Sequence, residues 1–113
     1  MNFLTVCEGP FNVWSLSQWG KSAVAFLGTG TESQYKQLAS MKCKGYLLCL
    51  DPDTSGRKAT LRVGNYLARR HKLIYVVDMP DGRDVNDLSQ EEYMNVPVLG
   101  YNDWRQKYSY LFK

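Results

Sequence analysis

Four short β-rich runs, each parted from the next by a segment with helical spacing, restrict the folds open to this chain more than any other feature. They are residues 3–7 (FLTVC), 23–27 (AVAFL), 46–50 (YLLCL) and 73–77 (LIYVV). Between them the pattern predicts helices over 12–19, stopped by Gly20, over about 32–40 with Thr31 as N-cap, and over about 57–70. Strands joined through helices of that length cross over and pair in parallel. The expected class is therefore α/β, a mostly parallel four-stranded sheet with helices on both faces. The third run is apolar throughout, as a strand covered on both sides should be. Pro80-Asp81-Gly82 breaks the chain after the fourth run, and weaker helical segments are expected near 90–94 and 103–111. With 113 residues and no repeat or linker-like stretch, the chain fits a single domain with one modest core.

Composition mainly excludes. A net charge of +3 is too small to identify a nucleic-acid binder by itself. No apolar run approaches the length of a membrane span and no basic stretch precedes an apolar one, so neither an anchor nor a signal peptide is expected. Cys7, Cys43 and Cys49 are odd in number and lack C-x-x-C spacing, which argues against a zinc site or disulfide framework and for a cytoplasmic setting. Cys7 and Cys49 lie in apolar runs and read as core residues. His71 is the only histidine, so chemistry built on several imidazoles is excluded.

The acids are placed more tellingly. In a parallel sheet the segments that follow the strands emerge at one edge, where such folds hold their ligands. Glu8 follows the first run, Asp51 and Asp53 the third, and Asp81, Asp84 and Asp87 the fourth. Any one of these could be a turn former or a helix cap. Acids after three strand ends of one sheet favour a shared site. Gathered carboxylates repel one another unless a cation joins them, and hard oxygen donors suit Mg2+ or Mn2+.

The motifs themselves resemble a known family. Glu8-Gly9-Pro10-Phe11-Asn12 is similar to the strand-EG-x-x-D element that opens Toprim domains, and Asp51-Pro52-Asp53-Thr54-Ser55-Gly56-Arg57-Lys58-Ala59 resembles their D-x-D-x-x-G-x-x-A element. Met79-Pro80-Asp81-Gly82-Arg83-Asp84-Val85-Asn86-Asp87 resembles the LPDG-x-D-P-D element of DnaG-type and bacteriophage primases. Ala25-Phe26-Leu27-Gly28-Thr29 resembles the same family's passage from second strand to loop. The resemblance covers residues 3 to 90 in order, with 91–113 expected as a helical extension.

The resemblance implies that Glu8 is the catalytic, metal-associated glutamate and that Asp51, Asp53 and Asp84 are further metal ligands. It also implies a Mg2+- or Mn2+-dependent primase domain making RNA primers on single-stranded DNA from nucleotides, with a replicative helicase as a candidate partner. Such a domain would belong to a larger replication protein, of prophage or plasmid type. The alternatives are a Toprim nuclease, or a non-catalytic binding module with a decayed metal site. Two departures favour the last: Asn12 and Asn86 stand where the family has aspartates, and Asp87 is the nearest substitute charge.

Other features are less specific. Gly56 is expected to let the chain turn sharply into the third helix, whose N-terminus would favour a phosphate. Lys58, Arg62 and Arg69 share a face of that helix and form either a strip for nucleic-acid backbone or a solvated face. Gly28-Thr29-Gly30-Thr31 has neither the lysine of a P-loop nor a dinucleotide fingerprint and reads as a plain turn. The aromatic C-terminal segment, with Trp104, Tyr108 and Leu111 on one helical face, is expected to pack against the sheet rather than to stack bases.

Overall fold

The computed structural model describes residues 2–26 and 31–112. In chain order the elements are β1 (Phe3–Glu8), α1 (Pro10–Gln18), β2 (Ala23–Phe26), α2 (Glu32–Ser40), β3 (Gly45–Cys49), α3 (Thr54–Ala68), β4 (Ile74–Val77), α4 (Gln90–Met94), β5 (Val98–Gly100) and α5 (Tyr101–Lys107). Short 3-10 turns cover Val85–Asp87 and Ser109–Leu111. Leu27, expected to end the second strand, and Gly28, Thr29 and Gly30 of the turn after it lie outside the described residues.

The fold class is the expected one, with one more strand. The sheet runs β2-β1-β3-β4-β5, and only β5 is antiparallel. Strand β5 leaves little trace in the residues, because three of them after Val96-Pro97 are too few to show a period. The strand pairs Val98 with Val77 and Gly100 with Tyr75, and it is secured where Asp78 N donates to Pro97 O. The segment expected as a helix over 103–111 thus becomes α5, starting at Tyr101, and a final 3-10 turn.

Alternation along the strands divides the interior in two. Leu4, Val6, Tyr46, Leu48, Ile74 and Val76 face α2, α3 and α5. Cys7, Cys49 and Val77 face the other way, against Leu16 of α1, Val85, Leu88 and Tyr93. Helices therefore cover both faces. Trp104 and Tyr108 are buried in the first cluster and Leu111 packs on it, as expected for the C-terminal segment. Among the described residues, no helix is long and apolar enough to cross a membrane.

The helix that matters most for the site is α3. Ala59, Val63 and Leu67 lie against the sheet, and burying each large aliphatic side chain contributes roughly 1.5–3 kcal/mol. Gly64 lets Tyr101 lie directly on this helix, where the phenol oxygen stands 2.9 Å from both Leu61 O and the Asn65 side-chain amide, within hydrogen-bond reach of each. A Cβ at Gly64 would stand 2.1 Å from the Tyr101 ring. Gly64→Ala should therefore cost about 1–3 kcal/mol by overpacking, read as a drop in melting temperature. An unchanged melting temperature would show that α5 does not pack here.

Candidate metal centre

Parallel pairing sets the frame. Cys7 is opposite Cys49 and Leu48 opposite Val76, so β1, β3 and β4 end near one another at one edge of the sheet. Glu8 is the last residue of β1, Asp51 lies two residues beyond β3, and Asp84 follows β4 through the Pro80-Asp81-Gly82 turn. A cavity of about 230 Å³ opens there, lined by Asp51, Pro52, Asp53, Gly82, Arg83, Asp84 and Asp87.

The acids sense one another across these segments. Burial raises the Glu8 carboxyl above its ordinary range and the charges of Asp51 and Asp53 raise it further, against the lowering effect of the Asp51 amide. Burial also raises Asp51, followed by the charges of Asp53 and Asp84. Glu8, Asp51, Asp53 and Asp84 thus form one electrostatic unit drawn from three strand ends.

Backbone donors hold three of the four. Glu8 Oε1 accepts from Asp51 N at 3.3 Å, which ties β1 to the turn after β3. Asp53 caps α3, its Oδ1 accepting from Gly56 N at 2.6 Å, and this cap starts the helix at Thr54 rather than near Arg57. Asp84 and Asp87 form a reciprocal capping box, with Asp87 N to Asp84 Oδ1 at 3.2 Å and Asp84 N to Asp87 Oδ2 at 2.9 Å. Among the described residues, the Asp51 carboxylate accepts no hydrogen bond. Gly56 works by close approach rather than by turning the chain: a Cβ there would stand 2.0 Å from Asp51 O.

Among the described residues, no three Asp, Glu, Cys or His side chains are grouped closely enough to hold a metal ion as they stand. The donor set still fits a hard cation. Each carboxylate has a second oxygen to offer, and Mg2+ commonly binds through one or two carboxylates while keeping several waters. Among the described residues the buried Oδ1 of Asn12 has no hydrogen-bond partner, while its Nδ2 donates to Glu8 O at 2.6 Å.

Other sequence expectations resolve differently. Asp81 turns away from the group, pairing with Arg57 at 2.6 Å over a separate cleft. Asn86 accepts from Ser15 Oγ at 2.5 Å and so fastens the 3-10 turn to α1, a tether with no signal in the sequence. Arg83, a cavity-lining cation not singled out from the sequence, donates to Asp87 O and lies 3.7 Å from Glu92. Lys58, Arg62 and Arg69 are all exposed. Burial first, then nearby charge, pushes the Cys7 thiol up to about 12, so it stays protonated at neutral pH.

Residues 5–89 match the Toprim-like family model. The chain belongs to the Toprim domains of the DNA primase family. It is 34% identical over 96 residues to the Escherichia coli K12 DNA primase, covering 80% of this chain and 16% of that protein. Against the Listeria monocytogenes DNA primase it is 30% identical over 86 residues, 74% of this chain and 14% of the relative. A DNA primase domain from Pseudomonas aeruginosa superposes with TM-score 0.68 at 28% identity, covering 96% of this chain and 33% of that one. The Aquifex aeolicus primase (zinc-binding and RNA polymerase domains) shares the fold, with TM-score 0.72 at 24% identity over 96% of this chain and 29% of that one. The Toprim match ends before β5 and α5.

The raised carboxyls predict a pH effect of definite sign. An acid whose folded pKa lies above its unfolded value destabilises the fold as pH rises through that interval. Removing the Asp51 charge should therefore raise the metal-free melting temperature at pH 7, and the gain should vanish near about pH 3, where the carboxyl is protonated in both states. Thermal unfolding of Asp51→Asn in EDTA at both pH values checks this; a lower melting temperature at pH 7 contradicts it.

Proposed function

We propose that this Toprim domain supplies the metal-binding carboxylates for primase-type nucleotidyl transfer, the synthesis of RNA primers on single-stranded DNA from nucleoside triphosphates. The observation that carries the reading is that Asp51, Asp53 and Asp84, from the segments after β3 and β4, line one open cavity, while Glu8 at the end of β1 is tied to the Asp51 amide. Its kinship with DNA primases supports the same chemistry.

In this reading Asp51, Asp53 and Asp84 would hold Mg2+ or Mn2+. Bound there, such an ion neutralises triphosphate charge and stabilises the attacking and leaving oxygens. Glu8, whose carboxyl titrates above its usual range, is suited to accept the proton of an attacking hydroxyl. Lys58, Arg62 and Arg69, exposed on and just past α3, are suited to contact nucleic-acid backbone.

A second reading, a non-catalytic binding module, rests on Asn12 and Asn86, which bring no charge; Asn86 is already occupied as a tether. Metal binding separates the two. Mn2+ at about 100 times its Kd should stabilise the fold by about 2.7 kcal/mol, seen as a higher melting temperature. Asp51→Asn with Asp53→Asn should abolish that rise. Asp78→Asn should keep it, because Asp78 is engaged by Lys107 and Tyr108 away from the cavity. A full rise in the double variant would overturn the catalytic reading.

A further inference from the structure

A mostly parallel sheet sorts the chain by strand polarity, and here it sorts charge as well. The strand exits carry the acids, whereas the strand entries carry cations. Lys21 precedes β2, Lys42 and Lys44 precede β3, and Arg69, Arg70 and Lys72 precede β4. Hydrogen bonds hold these entries along one edge. Thr5 N donates to Ser22 O at 2.8 Å, Lys44 N to Asn2 O at 3.0 Å, and Tyr46 N to Leu73 O at 2.9 Å.

Lys42, Lys44, Arg69, Arg70 and Lys72 are exposed, and none of the six cations forms an ion pair among the described residues. Two are steadied by rings: Lys44 lies 5.6 Å from the centre of Phe3, and Arg70 3.5 Å from that of Tyr66. The acid that antiparallel β5 brings round to this end, Asp103, is accompanied by Arg105. With strands about 4.8 Å apart, the entries from β2 to β4 span about 14 Å.

We propose that this strand-entry edge is a second binding surface, one that takes single-stranded nucleic-acid backbone without metal, at the edge opposite the carboxylates. The inference rests on the nucleic-acid reading above and extends it. The cations gather at the entries of the adjacent strands β3 and β4, with Lys21 beyond the uncharged entry of β1, an arrangement that suits successive phosphates. Met41 and Leu73 are exposed nearby, too few to form the apolar centre that a protein partner would bury. Because α3 starts at the acidic edge and ends at the basic one, Lys58, Arg62 and Arg69 continue the row along the helix. Without metal the acids repel a phosphate chain and leave the entry edge as its landing place.

Fluorescence anisotropy of a labelled 20-nucleotide single strand in EDTA tests this. With about five phosphate contacts, affinity should fall about 100-fold between 50 and 200 mM salt. Lys42→Glu, Lys44→Glu and Lys72→Glu together should weaken binding at least tenfold at 50 mM salt. The corresponding triple Gln variant should bind more weakly than the native chain and lose only about sevenfold over the same salt range. Asp51→Asn with Asp53→Asn should bind at least as well as the native chain, so a failure of the metal reading alone leaves this result standing. Triple variants that keep the native melting temperature and bind within twofold of the native chain would overturn the proposal. So would absence of binding by the native chain at 50 mM salt, or loss only in Lys58→Glu with Arg62→Glu. Polyglutamate competing as well as an oligonucleotide of equal charge would assign the edge to an acidic protein instead.

Discussion

Parallel pairing of β1, β3 and β4 brings the chain out at the same edge three times, with Glu8 ending β1, Asp51 two residues past β3 and Asp84 reached through the turn after β4. Glu8, Asp51 and Asp84 are far apart in sequence, and the register that sets Cys7 opposite Cys49 and Leu48 opposite Val76 is what makes them neighbours. Slipping one strand by a single residue would turn its buried side chains outward. The two apolar clusters that fix the register therefore fix the site as well.

Gathering like charges opposes folding, and the structure offsets this with backbone N–H groups. Asp51 N serves Glu8, Gly56 N serves Asp53, and Asp87 N serves Asp84. The Asp51 carboxyl has no such donor among the described residues, and it is raised by burial and by its neighbours. A cation would relieve what the amides do not. At the opposite edge the strand entries collect cations that form no ion pair among the described residues, so a small net charge of +3 conceals a molecule with two unlike ends.

Much of this was legible in the residues. The alternation of β-rich and helical segments shows the crossovers, and the crossovers place the acids. The division into two clusters follows from the strand period, which puts Leu4 and Val6 on one face of β1 and Cys7 on the other. What stayed hidden depends on tertiary contact. Strand β5 exists because β4 offers it an edge; three residues of local propensity would not reveal it. Gly56 reads as a turn former, but its role is to admit the Asp51 backbone. Asp81 reads as one more rim acid, yet Arg57 draws it away. Asn86 reads as a lost ligand, and only its spatial neighbour Ser15 makes it a tether.

The central claim is that acids after β1, β3 and β4 share one cation site. The most direct measurement is a backbone amide NMR spectrum of the chain titrated with substoichiometric Mn2+, whose unpaired electrons broaden nearby signals. Amides of Glu8 and Gly9, of Asp51 and Asp53, and of residues 82–87 should broaden together at the same metal concentration, while those of Lys42, Lys44 and residues 69–72 stay sharp. Broadening confined to a single one of these segments, or centred elsewhere, would contradict the account.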